Sequence, residues 1–473
     1  MAAFHLLLFC MIQSINDFKK PFFIGVAGTG MSAIAQYLQG IGKEVSGSDR
    51  YFHPGEFNDT KSKLEAEGIQ CFLQNGEGIT EDTDLVVVST AIEDTVAEVI
   101  KAKQMNKPII KRAELLAIIA KSKKTIAVGG TSGKSTTSAM IFDILQYAKL
   151  EPSIISGAGL TSIIREGKIG NAKVGKGDWL VIEADESDGS IVNYHPEIGL
   201  LLNIDKDHKE IEVLMDVFAQ FRDHTKEHFV VNQSHPLARQ LSVNPAFNFS
   251  VDETDTAAYH ATAFSQKGLS ISFTIRKANE EASFQMNAIG KHNMENALAA
   301  VTVSHLAGVS LRDSATALQS YEGIYRRHQV VGQKNGVWLI DDYAHNPAKC
   351  AASIEACQPL ADKVIAWFQP HGYGPTKFLR HDFVDEIAKV LRPQDEIWMS
   401  EIFYAGGTAV KDISANDLIE DLKAKGVNAF FTENRNDFPS VVRPHFTNDC
   451  VLLLMGARDP GLEGYANFVW EHL

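Results

Sequence analysis

The chain has 473 residues, with 45 Lys and Arg against 59 Asp and Glu, and a formal net charge of −14. At about 150 residues per domain the length suggests about three domains. A composition of 45% apolar and 22% charged residues supports several buried cores, and it excludes disorder, collagen-like repetition and a polytopic membrane protein. The acidic balance offers no general positive field, so nucleic acid is not an expected partner; an anion held by a few local donors is still allowed. Five cysteines without a C-x-x-C pair make neither a disulfide framework nor a zinc cluster, and they point to a reducing, cytoplasmic compartment. The apolar opening MAAFHLLLFCMI has no basic residue before Lys19 and falls short of the ~20 residues that span a bilayer. Translation is expected to start at Met11, with residues 1–10 a start-site artefact, and no membrane partner is expected.

Short apolar runs alternate with helical-period stretches, the pattern of parallel α/β units. Three blocks are predicted, over residues 1–120, 121–328 and 329–473. The first holds a strand (PFFIGV), a glycine turn (AGTG), a helix (MSAIAQYLQG), a strand ending at Asp49, a strand over Asp84–Ser89 and a helix over Lys111–Ile119. Lys121, Lys123 and Lys124 read as a linker. The second block holds the strand TIAV, the loop GGTSGKS, a helix over Ser135–Tyr147, strands at Asp178–Ala184 and Glu197–Ile204, an alternating stretch over Gly268–Arg276 and a helix over His292–Leu306. The third opens with GVWLI and DDYAHNP and continues through the strands KVIAWF, EIWMS, NAFF and CVLLLM.

The strongest chemical signal is GGTSGKST at Gly129–Thr136. A glycine-rich loop between a buried strand and a helix aims backbone N–H groups and the helix dipole at one point, which suits phosphate. Gly130, Thr131, Ser132, Gly133 and Thr136 form the cradle, Lys134 reaches terminal phosphates, and the Ser135 hydroxyl ligates magnesium. Carboxylates at the end of the WLVI strand, in EADESD, can hold magnesium through oxygen. Glu183 and Glu186 are the candidates. In GKHNMENALAA the amides of Asn293 and Asn296 lie one turn apart and can pair with the edges of adenine.

These motifs, in this order, resemble the Mur ligases, ATP-dependent enzymes that join amino acids to a muramic acid or folate carboxylate. The likeness runs from about Phe22 to the end. It implies an α/β fold of three domains: an N-terminal Rossmann-like domain, a central P-loop ATPase-like domain with a mostly parallel sheet, and a C-terminal Rossmann-like domain. It places magnesium on Ser135 and Glu183, with a second ion at His208 in LNIDKDH, and adenine at His292, Asn293 and Asn296. It sets Arg327 (YRRHQ) on ATP, Asp342 near the ribose, and His345 and His371 near the incoming amino acid. Lys134, Glu183, His208, Arg327 and His345 are the implied catalytic set, and ATP and Mg2+ the implied cofactors. His328 stands where the resemblance expects an apolar residue, a packing difference.

The turn GVAGTGMS resembles the family members that act on UDP-N-acetylmuramate, so Gly28, Thr29, Gly30 and Met31 are implied to cradle the UDP and Asp49 to contact the nucleoside. A dinucleotide site is the other reading of this turn. VSGSD, EADESDGS and FQPH point to the members that attach L-alanine, with some likeness to those that attach a preformed peptide. The implied activity is amide formation through an acyl phosphate, in peptidoglycan precursor synthesis. The third block is expected to close over the second. Lys134→Ala is expected to remove activity and leave the fold intact.

One departure stands out. The resemblance expects two arginines after FQPH to hold the amino acid's carboxylate, and Gly372 and Pro375 occupy those places. Losing two charged hydrogen bonds costs about 3–6 kcal/mol. Either Lys377 or Arg380 substitutes, or the acceptor is larger or lacks that carboxylate, for which Gly372 would widen the pocket. A non-catalytic sensor of nucleotide and sugar nucleotide is the remaining alternative.

Overall fold

The computed structural model describes residues 12–187, 189–206, 210–404 and 410–473. The first sheet is fully parallel, in the order Gln70–Leu73, Ser46–Asp49, Pro21–Ile24, Leu85–Val88, Ile109–Lys111. Helices cover both faces of such a sheet, so its central strands are apolar on both sides. PFFI is buried at every position. The lysine cluster lies at the junction of the first two sheets: Lys121 ends the helix Arg112–Lys121 and Lys124 opens the strand Lys124–Gly129, so the connection itself is only Ser122 and Lys123. Two buried side chains tie the first sheet to the second. The Asn171 amide donates to the Thr29 carbonyl at 2.8 Å and to Ser32 Oγ at 2.9 Å, and Gln36 Nε2 donates to Asn171 Oδ1 at 2.8 Å.

The second sheet runs His228–Val231, Ile198–Leu201, Lys124–Gly129, Trp179–Glu183, Ser153–Ile155, Ala172–Lys173, and only its last pair is antiparallel. A four-stranded, largely antiparallel sheet (Phe249–Ser250, Tyr259–Lys267, Ser270–Lys277, Glu280–Met286) shares one core with the helices Lys134–Tyr147, Lys291–Leu306 and Leu311–Gln319. The alternating stretch near Gly268 belongs to this sheet, whose outer face is polar.

The last sheet runs Gln329–Lys334, Val337–Asp342, Cys450–Gly456, Lys363–Gln369, Glu396–Met399, Ala429–Phe431, antiparallel only at its first pair. Cys450–Gly456 is central and buried throughout. Among the described residues no helix is long and apolar enough to cross a membrane.

Candidate active site between the second and last sheets

The strand Lys124–Gly129 ends in the loop Gly130–Gly133, and the helix Lys134–Tyr147 follows without a break. Gly133 adopts φ +84°, and a Cβ there would lie 2.5 Å from Asn296 Oδ1, so conformation and space both demand glycine. Asn203 shapes the loop from the neighbouring strand end. Its Oδ1 accepts from the Ser132 N–H at 2.8 Å, and its Nδ2 donates to the Ser132 carbonyl at 3.1 Å.

Two contacts define the chemistry of this end. Lys134 Nζ donates to the Gly130 carbonyl at 2.6 Å and to Glu186 Oε2 at 2.7 Å. Ser135 Oγ donates to Glu183 Oε2 at 3.0 Å, while Glu183 Oε1 accepts from Ser156 Oγ and the Gly157 N–H. Burial is the largest influence on Lys134 and would lower its pKa, but Glu186, Asp185 and Glu183 outweigh it and hold it raised and charged.

Around this loop lies a cavity of about 1010 Å³. Its lining brings together Thr131 to Thr136, Glu183, Glu186, His292, Asn293 and Asn296 with Arg327, Asp342, His345 and His371 from the far wall. Asn296 Oδ1 accepts from Thr137 at 3.3 Å, and Asn293 Nδ2 donates to the Ile289 carbonyl at 2.8 Å, so both amides are partly engaged by the protein. Gly28, Thr29, Gly30, Met31 and Asp49 do not line this cavity. They sit at the C-terminal edge of the first sheet, where Asp49 accepts from the N–H groups of Ala27 and Tyr51, both at 3.0 Å. Its carboxylate therefore braces the glycine turn. His208 lies outside the described residues.

On the far wall the two adjacent arginines diverge. Arg327 faces the cavity over the Tyr343 ring at 4.7 Å. Arg326 is buried against Asp341. His328 is not a packing substitute for an apolar residue. Its Nε2 lies 2.9 Å from Ser353 Oγ and 3.7 Å from Asp342, and its N–H donates to Asp342 Oδ1 at 3.3 Å. Burial would raise the Asp342 pKa, but His328 and Arg327 outweigh it, and the carboxyl stays ionised below the usual range.

Neither expected substitute for the missing arginines turns inward. Lys377 is paired with Asp412 at 2.5 Å and Arg380 with Asp421 at 2.7 Å. Gly372 itself lines neither the large cavity nor the small apolar pocket beside it. The apolar pocket beside Pro375, His345 and His371 has about 30 Å³, room for one small group.

Three family models match the chain in succession. The model for the Mur ligase family, catalytic domain, matches residues 22–124, the Mur ligase middle domain matches 128–304, and the Mur ligase, glutamate ligase domain, matches 326–458. The UDP-N-acetylmuramate–L-alanine ligase of Carboxydothermus hydrogenoformans is 32% identical over 463 residues, covering 96% of this chain and 97% of the relative. The chain belongs to the Mur ligase family. Mur ligases are ATP-dependent enzymes that form amide bonds, and this chain is one of them. The enzyme of the same name from Clostridium kluyveri is 34% identical over 458 residues, 93% of this chain and 96% of the relative. Among solved structures, the UDP-N-acetylmuramate–alanine ligase of Thermotoga maritima superposes with a TM-score of 0.77 at 24% identity, over 96% of this chain and 99% of that one. The murein peptide ligase of Psychrobacter arcticus gives 0.67 at 19%, over 96% and 98%. These superpositions establish the fold.

The structure adds residues to this Mur ligase's cavity that the motifs did not single out. Tyr321, Lys349 and Arg458 all line it. Arg458 was legible in one respect, as a cation two residues after the buried apolar strand CVLLLMG.

His292 gives a pH prediction. Burial and the nearby His328 push its pKa down to about 3. The unfolded imidazole takes up a proton as pH falls through about 6.5, the native one only near 3, so stability is complete above that window and declines as pH falls through it. Melting temperature is expected to fall from pH 7.5 to 5. His292→Gln is expected to show a shallower slope, by at most one proton, or about 1.4 kcal/mol per pH unit. Equal slopes for the two proteins rule this origin out.

Proposed function

We propose that this Mur ligase joins the amine of a small amino acid, L-alanine in the first instance, to the carboxylate of UDP-N-acetylmuramate, with ATP as the phosphoryl donor, in cytoplasmic synthesis of peptidoglycan precursor. One observation carries the reading: the Lys134–Glu186 and Ser135–Glu183 contacts share a cavity with Arg327, Asp342, His345 and His371. The two relatives above 30% identity named above carry the name UDP-N-acetylmuramate–L-alanine ligase, and the apolar pocket beside Pro375 is small.

The residues suit both cofactors. Ser132 Oγ is buried in the loop without a hydrogen-bond partner among the described residues, and a carboxylate, Glu186, sits on Lys134 where a phosphate oxygen would be held. Ser135 and Glu183 supply the few oxygen ligands magnesium takes from protein, the rest coming from phosphate and water. Bound there, magnesium neutralises charge on the phosphate oxygens, and His208 is the proposed ligand of a second ion.

In the proposed cycle the sugar carboxylate attacks the γ-phosphorus, releasing ADP and leaving an acyl phosphate. The neutral amine then attacks the acyl carbon, expels phosphate and gives up a proton. Lys134 and the loop N–H groups align the transferring group, which needs positioning and charge more than covalent help. Arg327 approaches the nucleotide from the far wall, Asp342 faces its ribose, and His292, Asn293 and Asn296 receive adenine. Gly28, Thr29, Gly30, Met31 and Asp49 position the UDP on the first sheet. His345 and His371 flank the amine. Burial keeps His345 neutral, its pKa well below the usual imidazole value, so it meets the amine as an uncharged hydrogen-bond partner. Donors stand on separate sheets, so closure of 329–473 over 121–328 completes the site.

A product-mass assay with ATP, magnesium, UDP-N-acetylmuramate and either L-alanine or a mixed amine panel tests this. A product one alanine residue heavier than the sugar nucleotide is expected. Coupling only to a peptide selects the recycling-type reading, and no coupling to any amine selects the sensor.

A further inference from the structure

We infer that Arg458 is the residue that selects the acceptor, by receiving its α-carboxylate. The assignment rests on the ligase reading above and deepens it.

Cys450–Gly456 lies between Val337–Asp342 and Lys363–Gln369, parallel to both, with Gly456 opposite Gln369 and Met455 opposite Asp342. The three strands therefore end together. Three residues beyond the first stands His345, two beyond the third stands His371, and two beyond the middle one stands Arg458. All three line the same cavity. The crevice outside the carboxyl ends of parallel strands is where α/β sheets bind ligands.

The side chain is available and its backbone is fixed. Arg458 makes no hydrogen bond or ion pair with another described residue. Of the other cations of this region, Lys134 pairs with Glu186, Lys377 with Asp412 and Arg380 with Asp421, Lys349 has an interaction of its own within the protein, and Arg327 lies over the Tyr343 ring on the nucleotide side. Arg458 holds φ +61°, a left-handed conformation that costs a non-glycine residue about 1 kcal/mol or more. The turn is pinned on both sides, by Arg326 Nη2 donating to the Gly456 carbonyl at 3.1 Å and by Asp459, which pairs with Arg435 and accepts from the Gly461 N–H at 2.8 Å. A planar guanidinium on a rigid turn presents a fork that matches a carboxylate. An amino acid lying there has its carboxylate on Arg458, its amine near His345 and His371, and a small side chain in the pocket beside Pro375.

The test compares L-alanine with its carboxamide, and wild type with Arg458→Gln and Arg458→Lys. The expected result is a KM for L-alanine raised about 10- to 100-fold in Arg458→Gln, with KM for ATP and for UDP-N-acetylmuramate unchanged. Preference for acid over amide is expected to vanish in Arg458→Gln and to return in part in Arg458→Lys. Equal urea midpoints establish that the variants are folded. A raised KM for ATP instead assigns Arg458 to phosphate and overturns the proposal, as does an acid preference that survives Arg458→Gln. Ligation by wild type that is indifferent to acid or amide overturns the Arg458 assignment alone. If wild type ligates no amine, calorimetric binding of L-alanine decides: loss of binding in Arg458→Gln sustains the assignment without the ligase reading, and absence of binding by wild type overturns both.

Discussion

Lys134→Ala is expected to lose ATP-dependent turnover by about 10³-fold or more, the scale on which a charge aimed at a transferring phosphoryl group acts. It is also expected to lose stability, which sequence reasoning alone did not anticipate. Lys134 and Glu186 are 16% and 6% exposed and share a 2.7 Å contact, so the truncation removes a buried cation from beside a buried carboxylate. Removing one partner of a buried pair costs on the order of 3 kcal/mol. The two effects separate in the double variant Lys134→Met with Glu186→Gln, which removes both charges of the pair. Its urea midpoint should return most of the way to wild type while phosphate release stays at background. Turnover retained in either variant would show that this loop is not where ATP reacts.

Arg326→Met is the other large effect, and it acts through the scaffold. The guanidinium donates to Asp341 Oδ2 at 2.9 Å, to Asp341 Oδ1 at 3.4 Å and to the Gly456 carbonyl at 3.1 Å, with both residues 5% exposed. One side chain thus fastens the segment carrying Arg327 to the two strands that deliver His345 and Arg458. Its loss leaves a buried carboxylate unpaired, at a cost of about 3–5 kcal/mol. Burial already holds the Asp341 pKa up and Arg326 opposes it, so the variant's carboxyl moves up further. An acid whose native pKa is raised loses stability as pH rises through its unfolded value of about 3.9, so the deficit should be largest near neutrality and shrink toward acid. Adding Asp341→Asn should restore much of the stability at pH 7. Urea titrations of the two variants at pH 5 and 7.5 measure this, and a deficit that does not depend on Asp341 excludes the mechanism.

Much of this protein was legible one residue at a time. The α/β class follows from PFFI, LVVV and CVLLLM, because parallel strands covered on both faces have to be apolar throughout. The phosphate loop is legible because Gly133 and Lys134 are needed by local backbone geometry and by the helix end that follows. Other features depended on contacts between distant segments. YRRHQ presents two arginines without saying which is buried, and the choice follows from Asp341 and the end of strand Cys450–Gly456 more than 100 residues on. His328 reads as an apolar substitute until Asp342 and Ser353 close on it. Lys377 and Arg380 look available as anchors until Asp412 and Asp421 claim them. Local sequence was enough for the α/β class, the phosphate loop and the family, since periodicity and turn chemistry act over a few neighbours. Only the tertiary structure decided which charges are spent inside the protein and which face the cavity, because a charge takes whichever partner folding sets within a few ångströms of it.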